Sequence, residues 1–300
     1  MTIADVHCHF CSAGFFATLG RDAGIEADPA VAVPKRLGWD PPGTDETLAD
    51  RWITELDRYS IARAMIIASV PGDEDSVARA VAAHPARLVG AFMFDPTVPG
   101  AEARLERALG ELKLSTVCLF PAMHQVDPAG PVAARVFAAA QRHRRAVFVH
   151  CGLLSIGVRK MLGLPSHFDL RLGNPLAVAA AAVKYPEIPV IIPHFGAGLF
   201  HETLMAAAAA PNILVDTSSS NGWIAFHPRL ALRDVWERAI GVMGPHRLLF
   251  GTDSSFFPRG WQHALREAQL AVMDALDLGT EARTLILGAN FARIFPEILA

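Results

Sequence analysis

Two histidines one residue apart, His7 and His9 in Ile3-Ala4-Asp5-Val6-His7-Cys8-His9, open the chain with a spacing that could do chemistry. Side chains alternate faces along a strand, so both imidazoles project to one side and can reach one cation. More groups of this kind lie far away in sequence. His150 closes Ala146-Val147-Phe148-Val149, His194 closes Pro189-Val190-Ile191-Ile192-Pro193, and Asp253 follows Leu248-Leu249-Phe250-Gly251-Thr252. Five such residues, each ending an apolar run, are hard to attribute to core packing, because buried imidazoles and carboxylates need partners. Three histidines and one aspartate supply the neutral nitrogens and the anionic oxygen that a borderline divalent ion takes, with zinc as the default. Such an ion lowers the pKa of a bound water to about 7, and a fifth group beside it can move protons. Taken singly, each histidine also fits a satisfied pocket residue, and Asp253 fits a helix cap or an Asx turn.

Something must carry these residues to one place. Short apolar runs are expected as strands at 3–9, 62–69, 88–94, 115–120, 146–151, 189–194, 213–217 and 247–252. Between them, helices are expected at 45–59, 73–84, 100–112, 129–144, 175–185, 200–210, 228–243 and 261–276, with a last one near 281–294. Near-continuous apolar strands alternating with helices indicate a covered parallel sheet, and eight such units make an α/β fold of the (β/α)8 TIM-barrel type. A doubly wound open sheet is the alternative, but no Gly-rich phosphate turn follows an early strand. A barrel gathers its strand ends around one cavity, so positions more than a hundred residues apart converge there. Two connections, about 10–44 and 152–174, are longer than barrel loops need and follow strand ends, which makes them lid candidates. Asn290 reads as a structural turn or cap residue.

With 52% hydrophobic residues and a mean hydropathy of +0.29, the 300 residues suffice for one large core, and a single domain over 1–300 is expected. Lys+Arg number 27 against 30 Asp+Glu, a net charge of −3, and no basic run is present, which argues against a nucleic-acid partner. The Ala-rich runs at 177–183 and 205–210 are too short to span a bilayer, and the first residues lack a basic-then-apolar leader. A soluble cytoplasmic protein with no membrane partner is expected. Of the four cysteines, Cys8 and Cys11 make a CxxC, but no second CxxC completes a zinc site and no thioredoxin-type context surrounds it. Reduced thiols are expected.

In order and spacing, Asp5-Val6-His7-Cys8-His9, Val149-His150-Cys151-Gly152, Pro193-His194-Phe195-Gly196, Phe250-Gly251-Thr252-Asp253 and Asn290-Phe291-Ala292-Arg293-Ile294-Phe295 resemble the amidohydrolase superfamily. The branch resembled is the amidohydrolase-related one that includes aminocarboxymuconate-semialdehyde decarboxylase. The resemblance implies a metal-dependent TIM barrel in which His7, His9, His150 and Asp253 hold one divalent metal ion and His194 is the catalytic acid/base. Binuclear relatives carry a bridging carboxylated Lys at the end of strand 4. That stretch here is Thr116-Val117-Cys118-Leu119-Phe120-Pro121, so a mononuclear site is expected.

Two chemistries use this ligand set. Hydrolysis of a small carboxylated or cyclic substrate, of lactone or amide type, with Asp253 also orienting the nucleophile, is placed first. Non-oxidative decarboxylation of a small unsaturated or aromatic acid is second, and a non-catalytic metal-binding protein a distant third. Lys35, Arg36, Arg159, Lys160 and Arg259 are the cations that a carboxylated substrate could meet near the mouth. The composition also permits a homodimer.

Overall fold

In the computed structural model, which describes residues 2–219 and 222–296, every one of the eight expected runs is a strand. They are β1 (Ala4–Phe10), β2 (Arg63–Ala68), β3 (Leu88–Phe94), β4 (Thr116–Leu119), β5 (Ala146–Val149), β6 (Val190–Ile192), β7 (Ile213–Asp216) and β8 (Leu248–Leu249). Each pairs in parallel with the next, in the order β1 to β8. β8 returns to β1 through Val6 N–H to Phe250 O (2.9 Å) and His9 N–H to Ser254 O (2.6 Å), with Cys8 bridging Ser254. The fold is a (β/α)8 barrel.

Alternation sorts the core into two layers. Met65, Ile67, Val89, Ala91, Cys118, Phe148, Ile191, Leu214 and Leu249 fill the barrel, closed at one end by Phe291 and Phe295. Their neighbours Ile66, Phe92, Val117, Val147, Val190, Val215 and Leu248 face the helices. β1 changes parity midway. Ala4 and Val6 point inward, a register irregularity falls between Asp5 and Cys8, and beyond it Cys8 and Phe10 face the helices. A bulge re-aims the strand, and the inner side passes to His7 and His9.

Most strands are trimmed by a residue or two against the expected runs, and β6 and β8 are cut back furthest. β6 stops at Ile192, not 194, because His194 and Phe195 take φ of 56° and 51°. β8 stops at Leu249, not 252, and Asp253 has φ 56°. Left-handed backbone cannot continue a strand, and residues held there cluster at functional sites.

The long connections are not open loops. The first carries helices Ala13–Asp22 and Pro29–Leu37, the second a helix Gly157–Met161. Phe15, Phe16, Leu19, Val33 and Leu37 pack with Val158 and Leu162 in a cluster that also takes in Trp39 and Phe256. Arg159 pairs with Asp22 at 2.7 Å across the two connections, which together form a roof. Cys8, Cys11, Cys118 and Cys151 are free and buried, with Cys8 in the helix-facing layer and Cys11 in the roof cluster. Asn290 donates to Pro245 O and Leu248 O, both at 2.8 Å, pinning the last helix under β8. Among the described residues no helix is long and apolar enough to cross a membrane.

Candidate active site

The ends of β1, β5, β6 and β8 bring His7, His9, His150, His194 and Asp253 together. His9 Nε2 is 2.8 Å and His7 Nε2 3.5 Å from the same Asp253 oxygen, Oδ1. The His7 and His194 rings lie 4.9 Å apart, those of His150 and His194 5.5 Å apart. His7, His150 and His194 are buried, whereas the side chains of His9 and Asp253 are each 22% exposed and so open onto the cavity.

Hydrogen bonding assigns the ring protons. His7 Nδ1 is 2.7 Å from Asp216 Oδ2, an acceptor, so the proton sits on Nδ1. Ser69 Oγ donates to Ile67 O (2.9 Å) and therefore accepts from His9 Nδ1 (2.7 Å). With both Nδ1 positions protonated, the two Nε2 atoms are the ones aimed at the carboxylate oxygen, and in the neutral imidazoles each would carry a lone pair. Three electron-rich atoms at these distances call for a cation or a proton among them. Burial works against a charge on His7, but Asp216 and Asp253 beside it raise its pKa to about 9. Burial likewise opposes ionisation of Asp253, yet His7 and His9 hold it well below the usual carboxylate range.

Among the described residues, two donor groups have the compactness of a metal site: His7, His9 and Asp253, and His7, His194 and Asp216. The second is already closed by protons, because His7 Nδ1–H, His194 N–H (3.0 Å) and Ser218 Oγ–H (2.5 Å) all donate to Asp216. The first is the one whose lone pairs converge. His150 stands outside both groups: its ring lies 5.5 Å from that of His194 and stacks on Phe120, and its Nδ1 is buried without a hydrogen-bond partner. Burial, with His194 and His7 nearby, lowers the His150 pKa to about 3, so the ring is neutral. Burial also lowers the pKa of His194. The donor set fits one divalent cation of the kind that takes nitrogen and carboxylate ligands.

Asp216 escaped the sequence reading. The run Ile213-Leu214-Val215-Asp216 reads as a strand, and the inward parity that Asp216 shares with Leu214 is the signal in the sequence that points to it. Asp5 carries no such signal beyond its place before His7. Buried, it accepts Thr252 Oγ1–H (2.5 Å), Thr252 N–H (3.2 Å), Trp261 Nε1–H (2.8 Å) and His7 N–H (2.8 Å), binding β1 to the turn that carries Asp253.

The five cations differ in their surroundings. Arg159 is engaged by Asp22 and Pro165 O, and Lys35 and Arg36 are exposed on a roof helix. Lys160 lines a cavity of about 550 Å³ with Leu154, Ile156, Leu164 and Phe168; none of the site residues lines it. Arg259 lies against Phe256 and donates to Ser255 Oγ (2.5 Å), its Nη2 being 3.4 Å from Asp253 O.

A barrel with polar groups gathered at the ends of its strands is the architecture of a (β/α)8 enzyme. The chain belongs to the amidohydrolase family, whose model matches residues 4–296. No curated sequence matches it. Solved structures agree in fold. They include a 5-carboxyvanillate decarboxylase from Novosphingobium aromaticivorans with bound manganese, 15% identical, TM-score 0.64, covering 99% of this chain and 97% of that one. A probable 2-pyrone-4,6-dicarboxylic acid hydrolase from Acinetobacter baumannii is 15% identical, TM-score 0.63, covering 99% and 100%. An amidohydrolase from Burkholderia multivorans with bound zinc is 16% identical, TM-score 0.64, covering 99% of both chains.

Proposed function

We propose that this protein is a metal-dependent hydrolase of a small carboxylated or cyclic substrate, of lactone or amide type. The observation that carries the reading is the convergence of His7 Nε2, His9 Nε2 and Asp253 Oδ1. With His150 they would hold one divalent cation, zinc first and manganese second. Such a cation supplies Lewis acidity for activating water or polarising a carbonyl. Family membership and the metals bound in two structural relatives support it. No Lys stands in Thr116-Val117-Cys118-Leu119-Phe120-Pro121 to bridge a second ion.

His194 is the proton carrier. Ser218 Oγ spends its only hydrogen on Asp216 Oδ1 (2.5 Å), so it accepts from His194 Nδ1 (2.8 Å), as does Ser218 O (3.2 Å). That leaves a lone pair on Nε2, where a proton is taken from the attacking water and later given to the leaving group. Asp253, partly exposed, accepts a hydrogen bond from that water and orients it.

Decarboxylation is the second reading. Phe120 stacks on His150 and shares an apolar cluster with Leu154, Met123, Ile156 and Phe168, surroundings that suit a flat unsaturated acid. It ranks second because a neutral His194 is equipped to take a proton, whereas protonation of carbon asks it to deliver one. Metal-loaded protein assayed on carboxylated lactones, cyclic amides and aromatic acids, following ring opening and CO2 together, tests the order. Ring opening without CO2 is expected. CO2 from the most efficient substrate would replace hydrolysis with decarboxylation.

A further inference from the structure

The segment Asp216-Thr217-Ser218 alternates across the end of the barrel as a strand does. Thr217 faces outward: its hydroxyl donates to Gln269 Oε1 (2.6 Å) and accepts from Gly251 N–H (3.3 Å), while Gln269 Nε2 donates to Gly251 O (2.8 Å). This anchor fixes the backbone of β7 against helix His263–Ala275. Asp216 and Ser218, both fully buried, face inward. Gly251 keeps that space open, since a Cβ there would stand 3.2 Å from His7 Cβ and 3.5 Å from Asp216 Cγ.

The two oxygens of Asp216 serve different residues. Oδ2 takes His7 Nδ1–H at 2.7 Å, and Oδ1 takes His194 N–H and Ser218 N–H, both at 3.0 Å, together with the Ser218 hydroxyl. That hydroxyl, oriented by Asp216, then accepts from His194 Nδ1 at 2.8 Å and lies farther, at 3.3 Å, from the His7 Nδ1 that Asp216 holds. One carboxylate therefore contacts the ring of one histidine directly and that of the other through a single serine.

The geometry assigns Asp216 and Ser218 as positioning residues that tie the cation-binding His7 to the proton-carrying His194 and set the same Nδ1–H tautomer in both. The roles of the two histidines and the neutral form of His7 rest on the function proposed above; the tautomer of His194 does not. A buried carboxylate on Nδ1 fixes which nitrogen is left for a ligand and raises its basicity. With Asn at 216, an oxygen kept on the His194 and Ser218 side puts the amide NH2 against His7 Nδ1–H. Donor then faces donor, and His7 is driven to the Nε2–H form, which has no lone pair for a cation.

The test is 15N-histidine NMR and zinc titration against a chromophoric chelator, on wild type, Asp216→Asn and Ser218→Ala. Wild-type His194 is expected as the Nδ1–H tautomer in metal-depleted and zinc-loaded protein alike. Asp216→Asn should weaken zinc binding about 10–100-fold or more and move the His7 proton to Nε2. Ser218→Ala removes a single oxygen and is the variant that folds if the other does not. It should leave zinc affinity unchanged, turn the His194 signature into a mixture of tautomers and, once a substrate is in hand, lower kcat about 10–100-fold without raising KM. Unchanged tautomers in both variants, or Nε2–H on wild-type His194, would overturn the assignment. If wild type binds no zinc, the proposed function fails, while the His194 spectra of metal-depleted protein still decide this inference.

Discussion

The ring of strand ends and the roof above it are built by opposite means. In the ring, buried carboxylates hold the parts: Asp5 joins β1 to the β8 turn, and Asp216 joins β1, β6 and β7. In the roof, apolar side chains do the work. Phe16, Leu19, Val33 and Leu37 meet Val158 and Leu162, and Trp39 stacks on Phe256 with centroids 3.8 Å apart. Its polar ties include the Arg159–Asp22 pair and Ser12 Oγ–H to Asp73 Oδ2 at 2.5 Å. Hydrogen bonds to charged groups are directional and fix an atom to within tenths of an ångström, whereas hydrophobic contact is non-directional and tolerates sliding. The chemistry is thus set on the rigid part, and the surface over it is left able to adapt.

If the contrast is right, substitutions in the ring should be far costlier to function than those in the roof. The largest effect is expected from Asp253→Ala, which removes the anionic donor: metal analysis should fall from close to one ion per chain to near none. Two ions required for activity in wild type would break the mononuclear reading. Next, His194→Ala should cut turnover by about 10²–10⁴-fold with metal content intact. Full activity in that variant would remove His194 from its role.

Asp73 tests the roof. Burial raises its pKa to about 6, with Asp45 and Glu74 adding to the effect and the Ser12 and Ser76 hydrogen bonds opposing it. Its value in an unfolded chain is near 3.8, so between the two the folded state holds more proton. Stability is therefore full below about pH 4 and is lost as pH rises through 6. Asp73→Asn removes that loss while keeping an acceptor for Ser12. Thermal melts should show no difference at pH 4 and a Tm higher by about 2–4 °C at pH 8; a lower Tm at pH 8 would show that the carboxylate is needed. The smallest effect is expected from Arg159→Ala. Its partner Asp22 is 42% exposed, and screening leaves such a pair less than about 1 kcal/mol. A change in KM with kcat unmoved would place this tie near the bound substrate.

Much of this was legible in the chain. The eight strands and the barrel class follow from apolar runs of strand length separated by helical ones, since burial on both faces of a parallel sheet demands such runs. His7, His9, His150, His194 and Asp253 stood out because each is a polar residue closing an apolar run. Other features were not legible, for reasons that are physical. The ends of β6 and β8 depend on left-handed backbone at His194 and Asp253, which composition does not announce. The inward aim of His7 and His9 depends on a bulge in β1 that reverses the parity set by Ala4 and Val6.

The sequence by itself determined the class of fold and the residue types at the centre, because hydrophobic periodicity and donor chemistry are properties of the residues. Only the tertiary structure decided which nitrogen of each histidine is free, that Asp216 serves two of them, and that two distant connections close into one roof. Those outcomes depend on distances between atoms from tens to more than two hundred residues apart in the chain, such as His7 Nδ1 and Asp216 Oδ2 at 2.7 Å, and nothing local to either residue records them.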